Sequence, residues 1–267
     1  MIRGPLGTCM STPLSTGLLL APDEPAPVSI ENRGARSEYV IVCDHASNRL
    51  PRALGDLGLS EDDLVAHIAW DIGAAAVARL LVAELDATLF LQQYSRLVID
   101  CNRPLHAPDA IPEKTGGVAV PGNMGLAPAD AQARAQAIFH PYHQEIRHAL
   151  DLREAEHRPT VLVAMHSFTP VLYGVARPFH AGVLYHKDSR LGRPLIELLR
   201  AEPGLLVGDN EPYAASDVSD YSIIEHAERR GNPYVELEVR QDLIAAAPGQ
   251  REWAARLARC IVAAKNS

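Results

Sequence analysis

The stretch Y-V-I-V-C-D-H-A-S-N, residues 39–48, decides the fold. Val40, Ile41, Val42 and Cys43 form an unbroken run of β-favouring apolar side chains. Such a run, without polar alternation, is the pattern of a strand buried on both faces, as in a parallel sheet covered by helices. Asp44, His45 and Ser47 follow at once. Open α/β sheets keep their ligand sites just past the carboxyl ends of their strands. The stretch therefore predicts an architecture and also a place for chemistry.

Working outward, residues 87–93 (A-T-L-F-L-Q-Q), 97–100 (L-V-I-D), 160–165 (T-V-L-V-A-M), 181–185, 205–208 and 234–239 read as further strands. Residues 69–85 have helical composition, with Val77, Leu80, Leu81 and Leu85 on one stripe. Residues 129–155, 191–201, 220–230 and 253–264 are the other predicted helices, and Gly231 stops one of them. Ser60 before Glu61, Asp62 and Asp63 is a predicted helix N-cap. Strands alternating with helices predict an α/β fold: one domain with a mixed, mostly parallel sheet and helices on both faces. That domain is expected over 38–267. Residues 1–37, rich in Pro, Ser, Thr and Gly, are expected to be an irregular tail or surface wrap. The Gly- and Pro-rich residues 105–128 are expected to be a functional lid or wall.

The 267 residues carry 25 basic and 33 acidic side chains, a net charge of -8, and no basic run. This balance argues against nucleic acid and anionic membrane as partners. No apolar run approaches the roughly 18 residues of a membrane helix. The four cysteines (Cys9, Cys43, Cys101, Cys260) are scattered and read as buried free thiols. The protein is expected in the cytoplasm. Nothing in the sequence defines an oligomeric state.

Two histidines sit at matching places, His45 after V-I-V-C-D and His166 after V-L-V-A-M. Neighbouring strand ends can bring two imidazoles to one point, and zinc takes such ligands with an oxygen ligand and an open position for water. Arg96 and Arg103 flank the predicted strand 97–100, where a guanidinium can clamp a carboxylate. Glu236 and Glu238 share one face of a strand whose other face is apolar. A glutamate there can act as general base beside a metal-bound water. The competing roles are structural: hydrogen-bonded core histidines, arginines in ion pairs, and glutamates facing solvent. His140 and His143 are expected on a helix surface.

D-H-A-S-N-R-L-P (44–51), A-W-D-I-G (69–73), Y-S-R-L-V-I-D-C-N-R-P (94–104), H-S-F (166–168), G-D-N-E-P-Y (208–213) and V-E-L-E-V-R-Q-D-L-I (235–244) occur in this order. Together they resemble the N-formylglutamate amidohydrolase family, related in fold to the zinc carboxypeptidases and aspartoacylases. The resemblance implies a phosphorylase/hydrolase-like α/β fold and metal-dependent cleavage of an N-acyl amino acid. It implies His45 and His166 as metal ligands, with Ser167 beside the second. Asn102 and Arg103 match the pair that holds the substrate carboxylate, and Glu238 matches the catalytic glutamate. The carboxypeptidase pattern has a glutamate three residues after the first histidine, and here Asn48 stands there. Asp71 is the substitute ligand we favour, although it also suits the N-cap of a helix starting at Ile72; Asp44 is the other candidate. Asn210 and Tyr213 are candidates for the pocket lining, with Tyr213 or Tyr221 in the place of a carboxypeptidase flap tyrosine.

The expected reaction is hydrolysis of N-formyl-L-glutamate to formate and L-glutamate, as in histidine degradation, with one divalent ion, zinc, as cofactor. The expected partner is a small anionic N-acyl amino acid. Arg96 or the metal is expected to stabilise the oxyanion. The alternatives are a carboxypeptidase-like or other deacylase activity, or a non-catalytic anion-binding protein on the same fold.

Overall fold

A computed structural model describes residues 18–267 of the protein. The strands are β1 (Val28–Glu31), β2 (Tyr39–Cys43), β3 (Thr88–Gln92), β4 (Lys114–Thr115), β5 (Val118–Ala119), β6 (Val161–Phe168), β7 (Val171–Leu172), β8 (Val175–Ala176), β9 (Ala181–Leu184), β10 (Val207–Asp209) and β11 (Tyr234–Arg240). The helices are α1 (Glu61–Val65), α2 (Ala74–Leu85), α3 (Pro128–Arg134), α4 (His140–Ala155), α5 (Gly192–Arg200), α6 (Ser222–His226) and α7 (Ala247–Lys265).

One seven-stranded sheet runs β1-β3-β2-β6-β11-β9-β10. β2 pairs in parallel with β3 and β6, β6 with β11, and β9 with β10. Only β1 with β3 and β11 with β9 are antiparallel. This is the expected mixed, mostly parallel α/β sheet. β2 and β6 are buried along their whole lengths, as their unbroken apolar runs require. α2 lies against β2, β3 and β6 and packs on α7, which packs on α5. α4 and α6 form a second packed layer, with α6 against β6 and β11. Ser60 caps α1 in a capping box with Asp63, and Gly231 ends the turn after α6 in the left-handed conformation. Cys43, Cys101 and Cys260 are buried free thiols; Cys9 lies outside the described residues. Among the described residues no helix is long and apolar enough to cross a membrane.

Three expectations need correction. Residues 1–37 are not irregular throughout, because Val28–Glu31 is an edge strand of the main sheet, with Val28 opposite Gln92. Four residues just after Pro25 and Pro27 carry too little pattern to reveal a strand whose partner is the distant residues 89–92. Residues 97–100 are buried but form turns rather than a strand. Side chains take up their backbone groups instead: Ser95 Oγ accepts from Leu97 N, Asn123 donates to Leu97 O, and Arg134 donates to Val98 O. The predicted helix 129–155 is divided by a π-helical segment, Ala135–Phe139. Pro141 follows it and has no N–H to continue the regular ladder.

Gly73 is required by its surroundings. Its φ is 83°, and a Cβ there would stand 2.3 Å from Ile244 O. The sharp turn lets α2 begin at Ala74 and leaves Asp71 outside the helix.

Candidate active site

The parallel register decides which strand ends meet. β6 and β11 align His166 with Glu238, and β2 and β6 align Val42 with Ala164. Two residues beyond that pair, Asp44 comes level with His166, and His45 turns across the carboxyl end of β6. Glu236 and Glu238, two residues apart on β11, project to one face. β11 is an interior strand, so both glutamates are buried rather than solvated.

His45, Asp71 and His166 converge. His166 Nδ1 is 3.2 Å from His45 Nδ1 and 3.0 Å from Asp71 Oδ2, and His45 Nδ1 is 3.4 Å from the same oxygen. All three residues are at most 3 % exposed. The other nitrogen of each ring meets a carboxylate: His45 Nε2 is 2.7 Å from Asp100 Oδ1, and His166 Nε2 is 3.4 Å from Asp44 Oδ2. At His45 the Asp100 partner holds the ring proton on Nε2, which leaves Nδ1 as a lone pair. Two imidazole nitrogens and a carboxylate oxygen this close need a positive charge among them, which a proton on His166 or a metal ion supplies. Their spacing matches the separation of about 3.3 Å around a tetrahedral ion with bonds of about 2.0–2.1 Å. The buried His45–Asp71–His166 group can therefore bind a metal ion.

The electrostatics divide the two histidines, one neutral and one carrying the positive charge of the group. Burial and the Arg96 guanidinium lower the His45 imidazole to about 4. Burial also opposes a charge on His166, but Glu236, Asp44 and Glu238 outweigh it and lift that group to about 10. Burial favours neutral Asp44 and Asp100, yet the adjacent histidines and, at Asp100, the Arg103 and Arg96 guanidiniums hold both below the usual carboxylate range.

Asp71 is held by its own contacts. Its N–H donates to His45 O at 2.9 Å, Ser167 N donates to its carboxylate at 3.2 Å, and Arg96 Nη2 pairs with Oδ1. It does not cap α2; Gly73 occupies that position. Asn48 donates to Leu64 O at 2.9 Å and takes no place in the group. Asp44 stands behind His166 rather than among the three converging atoms.

A cavity of about 670 Å³ opens onto this group. Arg96, Asn102, Arg103, Ser167, Tyr213 and Glu238, all singled out from the sequence, line it. Burial raises the Glu238 carboxyl to about 7, with His166 and Arg96 pulling it back, and Oε2 has no hydrogen-bond partner. Arg96 Nε is likewise unpartnered. Ser167 Oγ is used locally, donating to Ile72 O. Asn102 donates to Glu236 and accepts from the backbone of Tyr221 and Ser222. Arg103 donates to Asp109 and to Ser219 O. Thr115 and Gly116, in the loop expected to be a lid or wall, line one side.

Asn210 does not line the cavity; its side chain accepts from Tyr185 N at the turn after β10. The sequence reading missed Asp100, His67 and the inward position of Glu236. His67 lines the cavity with Nδ1 unpartnered, 3.8 Å from Asp71 Oδ1. Its signal was its place four residues before Asp71. Asp100 stood visible between I and C-N-R-P, but only the fold turns it toward His45. His143 is not on a helix surface. It is buried, donates from Nε2 to Cys101 O, and meets His226 through Nδ1.

The N-formylglutamate amidohydrolase family model matches residues 37–245. A crystal structure of a gene product from Agrobacterium tumefaciens is similar at 39% identity and TM-score 0.90, covering 93% of this chain and 98% of that one. The crystal structure of N-formylglutamate amidohydrolase from Ralstonia eutropha JMP134 shares the fold at 17% identity and TM-score 0.64, covering 90% of this chain and 98% of that one. No curated relative matches the chain. The chain belongs to the N-formylglutamate amidohydrolase family and is an amidohydrolase.

Proposed function

We propose that this member of the N-formylglutamate amidohydrolase family hydrolyses N-formyl-L-glutamate to formate and L-glutamate, with one zinc ion held by His45, Asp71 and His166. The observation that carries the reading is the convergence of two imidazole nitrogens and a carboxylate oxygen, with the raised Glu238 carboxyl, its Oε2 unpartnered among the described residues, in the same cavity. When bound, a zinc ion supplies Lewis acidity and lowers the pKa of a bound water toward about 7.

The chain's own groups do the rest. Glu238 accepts a proton from the attacking water and returns it to the leaving amine nitrogen as the C–N bond breaks. Arg96, oriented through one nitrogen by Asp71, has Nε free to donate to the oxygen that gains charge at the formyl carbon. Asn102 and Arg103 hold the α-carboxylate, with Arg103 exchanging its exposed Asp109 partner for the substrate. Thr115 and Gly116 close one wall and limit the size of the acyl group.

Formate release from N-formylglutamate, N-acetylglutamate and other N-formyl amino acids, with metal content measured on the same preparation, tests the reading. Fastest turnover of N-formylglutamate by a metal-loaded chain is expected. Equal rates on all formyl amino acids would reopen the substrate, and full activity without metal would remove the zinc.

A further inference from the structure

Two guanidinium groups line the cavity, a third stands behind its Tyr213 wall, and the two that line it already have carboxylate partners. Arg96 pairs with Asp71, and Arg103 Nε lies 2.8 Å from Asp109 Oδ2. The third, Arg177, follows β8 on the short hairpin whose Val171, Leu172 and Tyr173 line the cavity. It has no acidic partner within 4 Å among the described residues, and residues 1–17 contain no Asp or Glu that could supply one.

Two rings hold Arg177 in place without neutralising it. Its guanidinium carbon lies 4.5 Å from the centre of the Tyr213 ring and 5.8 Å from that of Phe168. Nη1 donates to Tyr213 Oη at 2.6 Å. A hydroxyl that accepts from arginine keeps its own proton to give away. Tyr213 lines the cavity, so its phenol stands on one side of it with the Arg177 guanidinium directly behind. The charge also reaches the reaction centre, where Arg177 is among the groups lowering both Glu238 and His67.

The rest of the cavity is hostile to a second negative charge. Asp220, Glu236 and Glu238 line its interior. A substrate with one carboxylate on Asn102 and Arg103 can place another favourably only where an unspent cation stands. We propose that Arg177, with Tyr213, reads the side-chain carboxylate of a dicarboxylic N-acyl amino acid, so that this pair sets the preference for acidic over neutral substrates. The inference rests on the amidohydrolase site proposed above and names the residues that select its substrate.

Binding tests it without relying on turnover. Glutarate carries two carboxylates separated as in glutamate, and butyrate is the same chain with one removed. Calorimetric titration of the full chain is expected to show at least tenfold tighter binding of glutarate than of butyrate. In Arg177→Gln that ratio should fall about tenfold, and Arg177→Lys should recover part of it, keeping the charge but not the fork. Circular dichroism establishes that each variant is folded. A ratio unchanged within twofold in Arg177→Gln, or a wild type without preference, overturns the inference. Failure of the hydrolytic reading appears separately, as no formate from N-formylglutamate with the wild type, and the binding ratio still decides the role of Arg177.

Discussion

Asp44 Oδ2 lies 3.4 Å from His166 Nε2, on the side of the ring opposite the nitrogen that faces His45 and Asp71. Ser222 Oγ donates to the other oxygen of Asp44 at 2.7 Å. The Ser222 contact fixes the Asp44 carboxylate, which places a negative charge behind the His166 ring. Removing such a partner costs about 10–100-fold in metal affinity. Asp44→Asn is therefore expected to weaken zinc binding by that order, read by competition against a chromophoric chelator. Unchanged affinity would mean that the ring is held by packing alone.

His166→Ala and Asp71→Asn each remove one of three ligand atoms. Metal analysis of the wild type is expected to give about one zinc per chain, and of either variant close to none. Chelation of the wild type should stop formate release, and added zinc should restore it. Activity that survives chelation would exclude the metal from the reaction.

Glu238 gives a rate and a pH dependence. Glu238→Gln is expected to lose about 10²–10⁴-fold in kcat, the usual worth of a positioned general base, while keeping its metal. Burial raises the Glu238 carboxyl to about 7, and only the carboxylate accepts a proton. Activity should therefore fall as pH drops through that value and level off above it. A bound dication favours the carboxylate, so the midpoint in the zinc-loaded enzyme should lie at or below about 7. A flat profile from pH 5 to 8 would remove Glu238 as the base.

Arg134 is a structural test. It is buried and donates to Val98 O, Asn123 Oδ1 and Gly122 O. Arg134→Leu leaves three acceptors without a donor and should cost about 3 kcal/mol or more. For a chain of this size that is a fall in Tm of roughly 5–10 °C by calorimetry. Because Val98 lies within the segment carrying Arg96, Asn102 and Arg103, and Asn123 donates to Leu97 O in the same segment, KM should rise as well. A variant as stable as the wild type would show that water replaces the guanidinium.

The family was legible because its motifs sit at strand ends, and strand ends are local features. V-I-V-C-D-H and V-L-V-A-M-H announce buried strands followed by ligands. V-E-L-E-V places two glutamates on one face by the two-residue period alone. Segment 97–100 misled because its apolar run looks like a strand, while the side chains that satisfy its backbone come from Asn123 and Arg134. Asn210 misled because loop composition does not tell which way a loop turns. Asp71 converges with His45 and His166 while Asn48 does not; the sequence offered capping as the alternative role of Asp71, and only the left-handed turn at Gly73 takes it out of the helix.

By itself the sequence determined the inner strands of the sheet, their ends and most of the chemical groups there, since hydrophobic run length and side-chain period act over a few neighbouring residues. Only the tertiary structure decided which groups meet. Parallel register set Glu238 beside His166. Contacts across 55 and 26 positions brought Asp100 and Asp71 to opposite nitrogens of His45. Packing against Phe168 and Tyr213 left Arg177 behind the cavity wall with no acidic partner among the described residues. These are long-range pairings, and their free energy appears only when the whole core closes around them.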